Sequence, residues 1–189
     1  MKQVRFTNID NDRLKDLFLP TFDQFRFPKE LKMNLEAATI KGSTMHAQPV
    51  IRLHSPFRGI DSYRIRFSEH VRDSRELRVA DLPDDVLIGW YAHEMGHIID
   101  YMGRTVHNMI NFGIRYITSA KFRREAENRA DENAIKRGFQ HHILMTKEFL
   151  FNNEMIDEKY RQQLKKFYRS PDDTRSLLGS DSPELPLIK

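Results

Sequence analysis

The strongest constraint on the fold is the run His93-Glu94-Met95-Gly96-His97, which places two imidazoles four residues apart with a carboxylate beside the first. On a helix, residues i and i+4 project from the same face, so both rings can bind one zinc ion. Glu94 is then free to take a proton from a zinc-activated water. The run therefore calls for a helix and predicts the core of a zinc hydrolase site on it.

The residues on either side of this run are those of a buried helix. We predict that it begins at Asp84, after Pro83, and ends at Met102, with Gly103 as its C-terminal cap. Glu94 is the only charged residue between Asp85 and Asp100, so it needs a function to explain it. One face of the helical wheel is apolar and consists of Leu87, Ile88, Tyr91, Met95, Ile98, Ile99 and Met102. The other face carries both histidines and consists of Val86, Trp90, His93, His97 and Tyr101. The alternative is a buried helix whose histidines only form hydrogen bonds.

A zinc site of this type needs a third protein ligand. The pattern His-x-x-Gly-x-x-His or Asp would require glycine at position 100 and histidine or aspartate at position 103, but the chain has Asp100 and Gly103. A better candidate is the segment Arg124–Ile135, which also has the pattern of a helix and is followed by Gly138.

Two carboxylates in this second helix fall within its apolar stripe. The stripe consists of Ala126, Ala130, Ala134 and Ile135, and both Glu127 and Asp131 lie inside it. Burying them is costly unless a cation receives them. We therefore predict Glu127 as the third ligand and Asp131 as the hydrogen-bond acceptor of a ligand imidazole. An ordinary solvated helix is the alternative, and Glu125 is the fallback ligand.

Together these two segments resemble the gluzincin metallopeptidases, whose ligands are His, His and Glu. The resemblance is to the CAAX prenyl endopeptidase and HtpX-like heat-shock protease family, in which a helix with Glu-x-x-Ala-Asp-x-x-Ala follows the HExxH helix; here that segment is Glu127–Ala134. It covers residues 82–138, under a third of the chain. Those proteases are embedded in membranes, whereas this sequence has no apolar run near 18 residues, so it more closely resembles the soluble minigluzincins. The resemblance implies a zincin-like fold and zinc-dependent hydrolysis of a peptide or protein substrate, with Glu94 as the general base.

Composition is that of one soluble domain. A chain of 189 residues can bury one substantial core, and we predict a domain over residues 1–169 followed by an arm over 170–189. The polar start Met1–Asp12 has no secretory signal, and the chain contains no cysteine, which is compatible with the cytosol and excludes thiolate ligands.

The order of predicted elements gives an α+β architecture. Helical spacing extends over Asn11–Phe27, with an interruption at Pro20, and again over Glu154–Tyr168. Three short strands are predicted between them: Leu35–Lys41, Ala47–His54 and Ser62–Ser68. Because strands precede helices, the class is α+β, with a small antiparallel or mixed sheet. By resemblance to zincins, we expect Ser62–Ser68 to be the edge strand along the cleft.

Further roles are less constrained by the sequence. Candidates for stabilising an oxyanion, by residue type alone, are Tyr116, His107, His141 and His142. The net charge of +4 and pI near 9.3 raise the alternative of a nucleic-acid-associated or regulator-cleaving protein, with basic residues concentrated at 64–78 and 159–169. A catalytically idle zinc-binding module is the third possibility, although the intact Glu94 argues against it.

Overall fold

The computed structural model, which describes residues 4–51, 60, 62–74 and 76–179, has a small four-stranded sheet, with one helix between its first two strands and six helices after its last strand. The strands are β1 Val4–Thr7, β2 Lys32–Ala37, β3 Met45–Pro49 and β4 Ser62–Phe67. The helices are α1 Asp12–Phe25, α2 Asp84–Tyr101, α3 Val106–Thr118, α4 Ala120–Ile135, α5 Gln140–Asn152, α6 Glu158–Phe167 and α7 Pro171–Leu178. The α+β class with a mixed sheet is confirmed.

The sheet has the order β1-β2-β4-β3. The strands β1, β2 and β4 are parallel to one another, and β3 pairs antiparallel with β4, with Ala47 opposite Ile65. Leu35 and Ile65 are fully buried, which places the core on one face of the sheet. Of β3 and β4, β3 lies at an edge of the sheet and β4 lies in its interior.

The expectation that Ser62–Ser68 forms the edge is therefore wrong. Its alternation of Tyr63, Ile65 and Phe67 predicts a strand with one buried face but not the strands beside it, and pairing places it between β2 and β3. The edge strand beside the helices is β3, which is shorter and carries Pro49 at its end. The predicted strand Ala47–His54 overlaps β3, but its residues 52–54 lie outside the described residues.

Helix α2 lies at the centre of the molecule, in contact with α1, α4, α5 and β3. Two glycines allow the closest contacts. A Cβ at Gly96 would overlap the backbone of Ala130 on α4, and one at Gly89 would overlap His142 and Thr146 on α5. The prediction that this helix is buried is confirmed on both of its faces, since Tyr91, Met95, Trp90 and the histidines are all buried.

Three segments differ from the sequence predictions. Strand β1 was not predicted, and β2 begins three residues before the predicted Leu35. Helix α1 continues through Pro20 because Phe18 and Phe25 on either side are fully buried, so packing outweighs the local cost of proline.

Toward the C-terminus, part of the predicted arm forms a helix. Helix α7 begins with a capping box between Ser170 and Asp173 and packs on α5 through buried Pro171 and Thr174, while Leu177 stays exposed. Residues 180–189 of the arm lie outside the described residues.

Candidate metal centre

Three buried side chains from two helices converge on one point. His93 Nε2 lies 3.1 Å from Glu127 Oε2, and His97 Nε2 lies 3.3 Å from the same oxygen. The ligand atoms of the three residues are all within 4.8 Å of one another. This spacing is close enough for all three to bind one metal ion, as the sequence predicted.

The helices position these atoms through their periodicity and through small residues. The four-residue spacing of the histidines puts both rings on the face of α2 that meets α4. On α4, Ala126, Ala130 and Ala134 are fully buried and let the helix approach α2, which carries Glu127 into contact with both rings. Glu125, the fallback ligand, is exposed.

The donor set and the local charge both suit a divalent cation. Two imidazole nitrogens and one carboxylate oxygen are common zinc ligands. Three carboxylates, those of Glu94, Glu127 and Asp131, are each no more than 4 % exposed, while two basic side chains pair with them: Lys147 with Asp131 and Arg123 with Glu127 at 3.9 Å. Buried negative charge is therefore in excess around the two imidazoles, and a cation would offset it.

Asp131 holds the ring of His93 from the side away from Glu127. Its Oδ1 lies 2.8 Å from His93 Nδ1, so Nε2 is the nitrogen that faces the cluster. Its Oδ2 forms an ion pair with Lys147 Nζ at 2.7 Å. Burial alone would raise the pKa of Asp131, but Lys147 and His93 outweigh that effect and lower the pKa to about 2. Asp131 is thus a carboxylate acceptor, as predicted.

Tyr116 contacts the other oxygen of Glu127. Its hydroxyl donates a hydrogen bond to Glu127 Oε1, and burial together with the Glu127 charge raises the pKa of the phenol. Of the four residues considered as oxyanion donors, Tyr116 is the one at the cluster. His107 is exposed, whereas His141 and His142 lie near Asp85 at the start of α2.

Glu94 lies beside the three-residue cluster and is not part of it. The carboxylate is 4 % exposed, and its Oε2 accepts a hydrogen bond from the backbone N–H of Ala47 on β3 at 2.6 Å. Burial raises the pKa of Glu94, although the two neighbouring histidines act in the opposite direction. A carboxylate with a raised pKa is suited to accepting and returning a proton.

The cluster borders an open cleft of about 560 Å³ through His97 and Glu127. One wall is the edge strand β3, including Met45, Ala47 and Pro49, and the opposite wall is α3. The α3 wall is mostly apolar and consists of Met109, Ile110, Phe112, Gly113, Tyr116 and Ile117. Glu94, His97 and Glu127 all border this cleft, so a bound molecule can reach them.

Three residues outside the two sequence motifs, Tyr101, Tyr168 and Lys147, also lie around the cluster. The ring of Tyr101 stacks on His97 with 5.9 Å between centroids, and Tyr168 lies 5.7 Å from His93. Lys147 is a lone lysine in the apolar stripe that Ile143 and Leu150 form on α5, and such a position is a signal present in the sequence. The same argument that identified Glu127 applies to it.

The described helices include none with the length and apolar character needed to cross a bilayer. Comparisons with protein-family models, with curated proteins and with solved structures find no match for the chain.

Proposed function

We propose that this protein is a zinc-dependent metallopeptidase with a zincin-like fold. The observation that carries the proposal is the position of Glu94: a buried carboxylate that lies beside a His, His, Glu cluster and lines an open cleft. A purely structural metal site has no use for such a group, whereas hydrolysis requires a base.

His93, His97 and Glu127 would hold the ion, and Asp131 would keep His93 oriented. When bound, zinc lowers the pKa of a coordinated water and polarises a carbonyl. Glu94 accepts the proton of the attacking water and returns it to the leaving amine. The Ala47 N–H holds the Glu94 carboxylate in place between those two steps.

The cleft supports an extended polypeptide as the substrate. Strand β3 pairs with β4 on one side, so its other edge can add a peptide strand through backbone hydrogen bonds. The apolar α3 wall faces that edge and would receive large apolar side chains. We propose β3, in place of β4, as the strand that binds the substrate.

A library of fluorogenic peptides, incubated with zinc-loaded protein, tests the proposal. We expect cleavage that a chelator abolishes and added zinc restores, and no cleavage by the Glu94→Gln variant. Zinc binding at one ion per chain without cleavage of any library peptide would instead favour the idle zinc-binding module.

Nucleic-acid binding has no specific observation in its favour. Several of the basic residues that raised it form local pairs, as Arg66 does with Glu36 and Arg78 does with Glu69. Interspersed pairs of this kind are typical of a solvated surface.

A further inference from the structure

Lys147 is a buried charge that the proposed chemistry does not use. It projects from α5, and the residue is 5 % exposed. An ammonium group in such a position is costly unless it is paired and hydrogen-bonded. Its neighbours Ile143 and Leu150 show that an apolar side chain would suit this stripe of the helix. The choice of lysine therefore needs an explanation.

The contacts of Lys147 are directed at the metal centre on one side and at the C-terminal segment on the other. Its Nζ lies 2.7 Å from Asp131 Oδ2 and donates to the carbonyl oxygen of Arg169 at 3.2 Å. The ring of Tyr168 lies 5.6 Å from the same nitrogen and also approaches His93. The ammonium group is thus fixed from two directions.

Asp131 bridges His93 and Lys147, through a hydrogen bond at Oδ1 and through an ion pair, without a hydrogen bond, at Oδ2. Oδ1 contacts His93 Nδ1 at 2.8 Å, and Oδ2 contacts Lys147 at 2.7 Å. A carboxylate held at both oxygens cannot rotate without breaking one contact. The ring of His93 is therefore oriented by the series Lys147, Asp131, His93, and its Nε2 is kept toward Glu127. His97 has no such support, since its Nδ1 has no hydrogen-bond partner among the described residues.

We infer that Lys147 is a positioning residue of the metal centre, which fixes Asp131 and through it the ligand ring of His93. The inference rests on the metal site of the proposed function and is independent of the substrate. Since residues that orient a ligand from behind typically contribute a factor of about 10 to 100 in metal affinity, Lys147 should contribute a factor of that size.

Zinc affinity, measured by competition with a chromophoric chelator, tests the inference on three variants. Lys147→Met removes the charge and keeps the length of the side chain, so zinc should bind about 10- to 100-fold more weakly. Lys147→Arg keeps the charge and should recover most of the affinity. Lys159→Met changes an exposed lysine on α6 and is the matched control, with the affinity of the parent expected.

A second measurement separates positioning from a general loss of packing. In zinc-loaded protein with ¹⁵N-labelled histidine, the parent should show a slowly exchanging, downfield Nδ1–H signal from His93, because Asp131 accepts that proton. This signal should broaden or move upfield in Lys147→Met, while the signals of His97 stay in place.

Three outcomes have distinct meanings. A parent protein that binds no zinc contradicts the proposed function itself. A parent that binds zinc, together with a Lys147→Met variant of equal affinity and an unchanged His93 signal, overturns only the role of Lys147. If Lys147→Met does not fold, the parent spectrum decides, because a His93 ring that binds zinc through Nδ1 contradicts the proposed orientation.

Discussion

At the scale of single residues, the two carboxylates Glu94 and Glu127 differ in their contacts. Glu127 faces both imidazoles and the Tyr116 hydroxyl, whereas Glu94 contacts the backbone of β3. Both are buried, yet only Glu127 has ligand geometry. Substitution of Glu127 should therefore weaken metal binding, whereas substitution of Glu94 should lower the reaction rate.

Glu94→Gln should lower the rate of peptide cleavage by about 100-fold or more, because the amide cannot take a proton. The amide oxygen can still accept the hydrogen bond from Ala47, so the fold and the zinc affinity should stay those of the parent. Steady-state kinetics and zinc titration check both statements. Glu125→Gln, on the exposed face of α4, is the control. Cleavage at the parental rate by Glu94→Gln would exclude Glu94 as the base.

Asp131→Ala should weaken zinc binding by roughly 10- to 100-fold without removing a ligand, since His93 loses its acceptor. The same change at exposed Glu125 should have no effect on zinc binding. Competitive titration of the two variants side by side gives the comparison. Equal affinities would mean that Asp131 does not orient the ring, and the assignment of Glu127 would weaken with it.

At the scale of elements, the sequence predicts which face of a helix is buried better than it predicts which elements pack side by side. The inward position of Glu127 and Asp131 follows from the alanine stripe of a single helix, so it was accessible from the sequence. The place of β4 between β2 and β3 depends on pairing between segments far apart in the chain, and no local pattern encodes it. For the same reason Tyr116 and Tyr168, which come from other elements, had no local sign of their contacts with Glu127 and His93.

The close approach of α2 and α4 depends on Gly96. In Gly96→Ala, the new methyl group would overlap the Ala130 backbone, so the helices must separate and the ligands with them. We expect a loss of about 1–3 kcal/mol in the free energy of unfolding, together with weaker zinc binding.

Gly113→Ala is the matched control for this variant, because a Cβ at Gly113 meets no atom within 4 Å. Alanine there should stabilise α3 by about 0.5–1 kcal/mol and leave zinc binding unchanged. Denaturant unfolding and zinc titration of both variants test the pair. If the two behave alike, the approach of the helices does not determine the metal site.

The α3 wall should determine which side chains the cleft accepts. Gly113→Leu projects a large side chain into open space that borders the cleft. Cleavage of peptides with large apolar side chains should then fall more than cleavage of peptides with small ones, with Gly113→Ala as the reference. A comparison of kcat/KM over the peptide library measures this ratio. An unchanged ratio would place the substrate elsewhere than against α3.

At the scale of the whole molecule, the metal should contribute to stability, because its ligands come from two helices that meet only in the folded chain. An ion at 100 times its Kd adds about 2.7 kcal/mol, which for a chain of this size corresponds to a Tm increase of roughly 5–11 °C. Thermal unfolding of metal-free protein with and without added zinc checks this increase. His97→Ala, which lacks one ligand, should show little of it, and an equal increase in that variant would mean that zinc acts at another site.

Helix α3 lies in the chain between two of the proposed metal ligands. His97 and Glu127 are 30 positions apart, and α3 lies wholly between them. A bound ion would therefore act as a cross-link that closes a loop, with the cleft wall inside the loop. Tyr116, at the C-terminal end of α3, is tied to the same Glu127, so the wall is fastened where the loop closes. If the proposed function is correct, loss of the ion would remove this cross-link from the α3 wall and leave Tyr116 as its remaining contact with Glu127, so peptide binding should weaken together with catalysis.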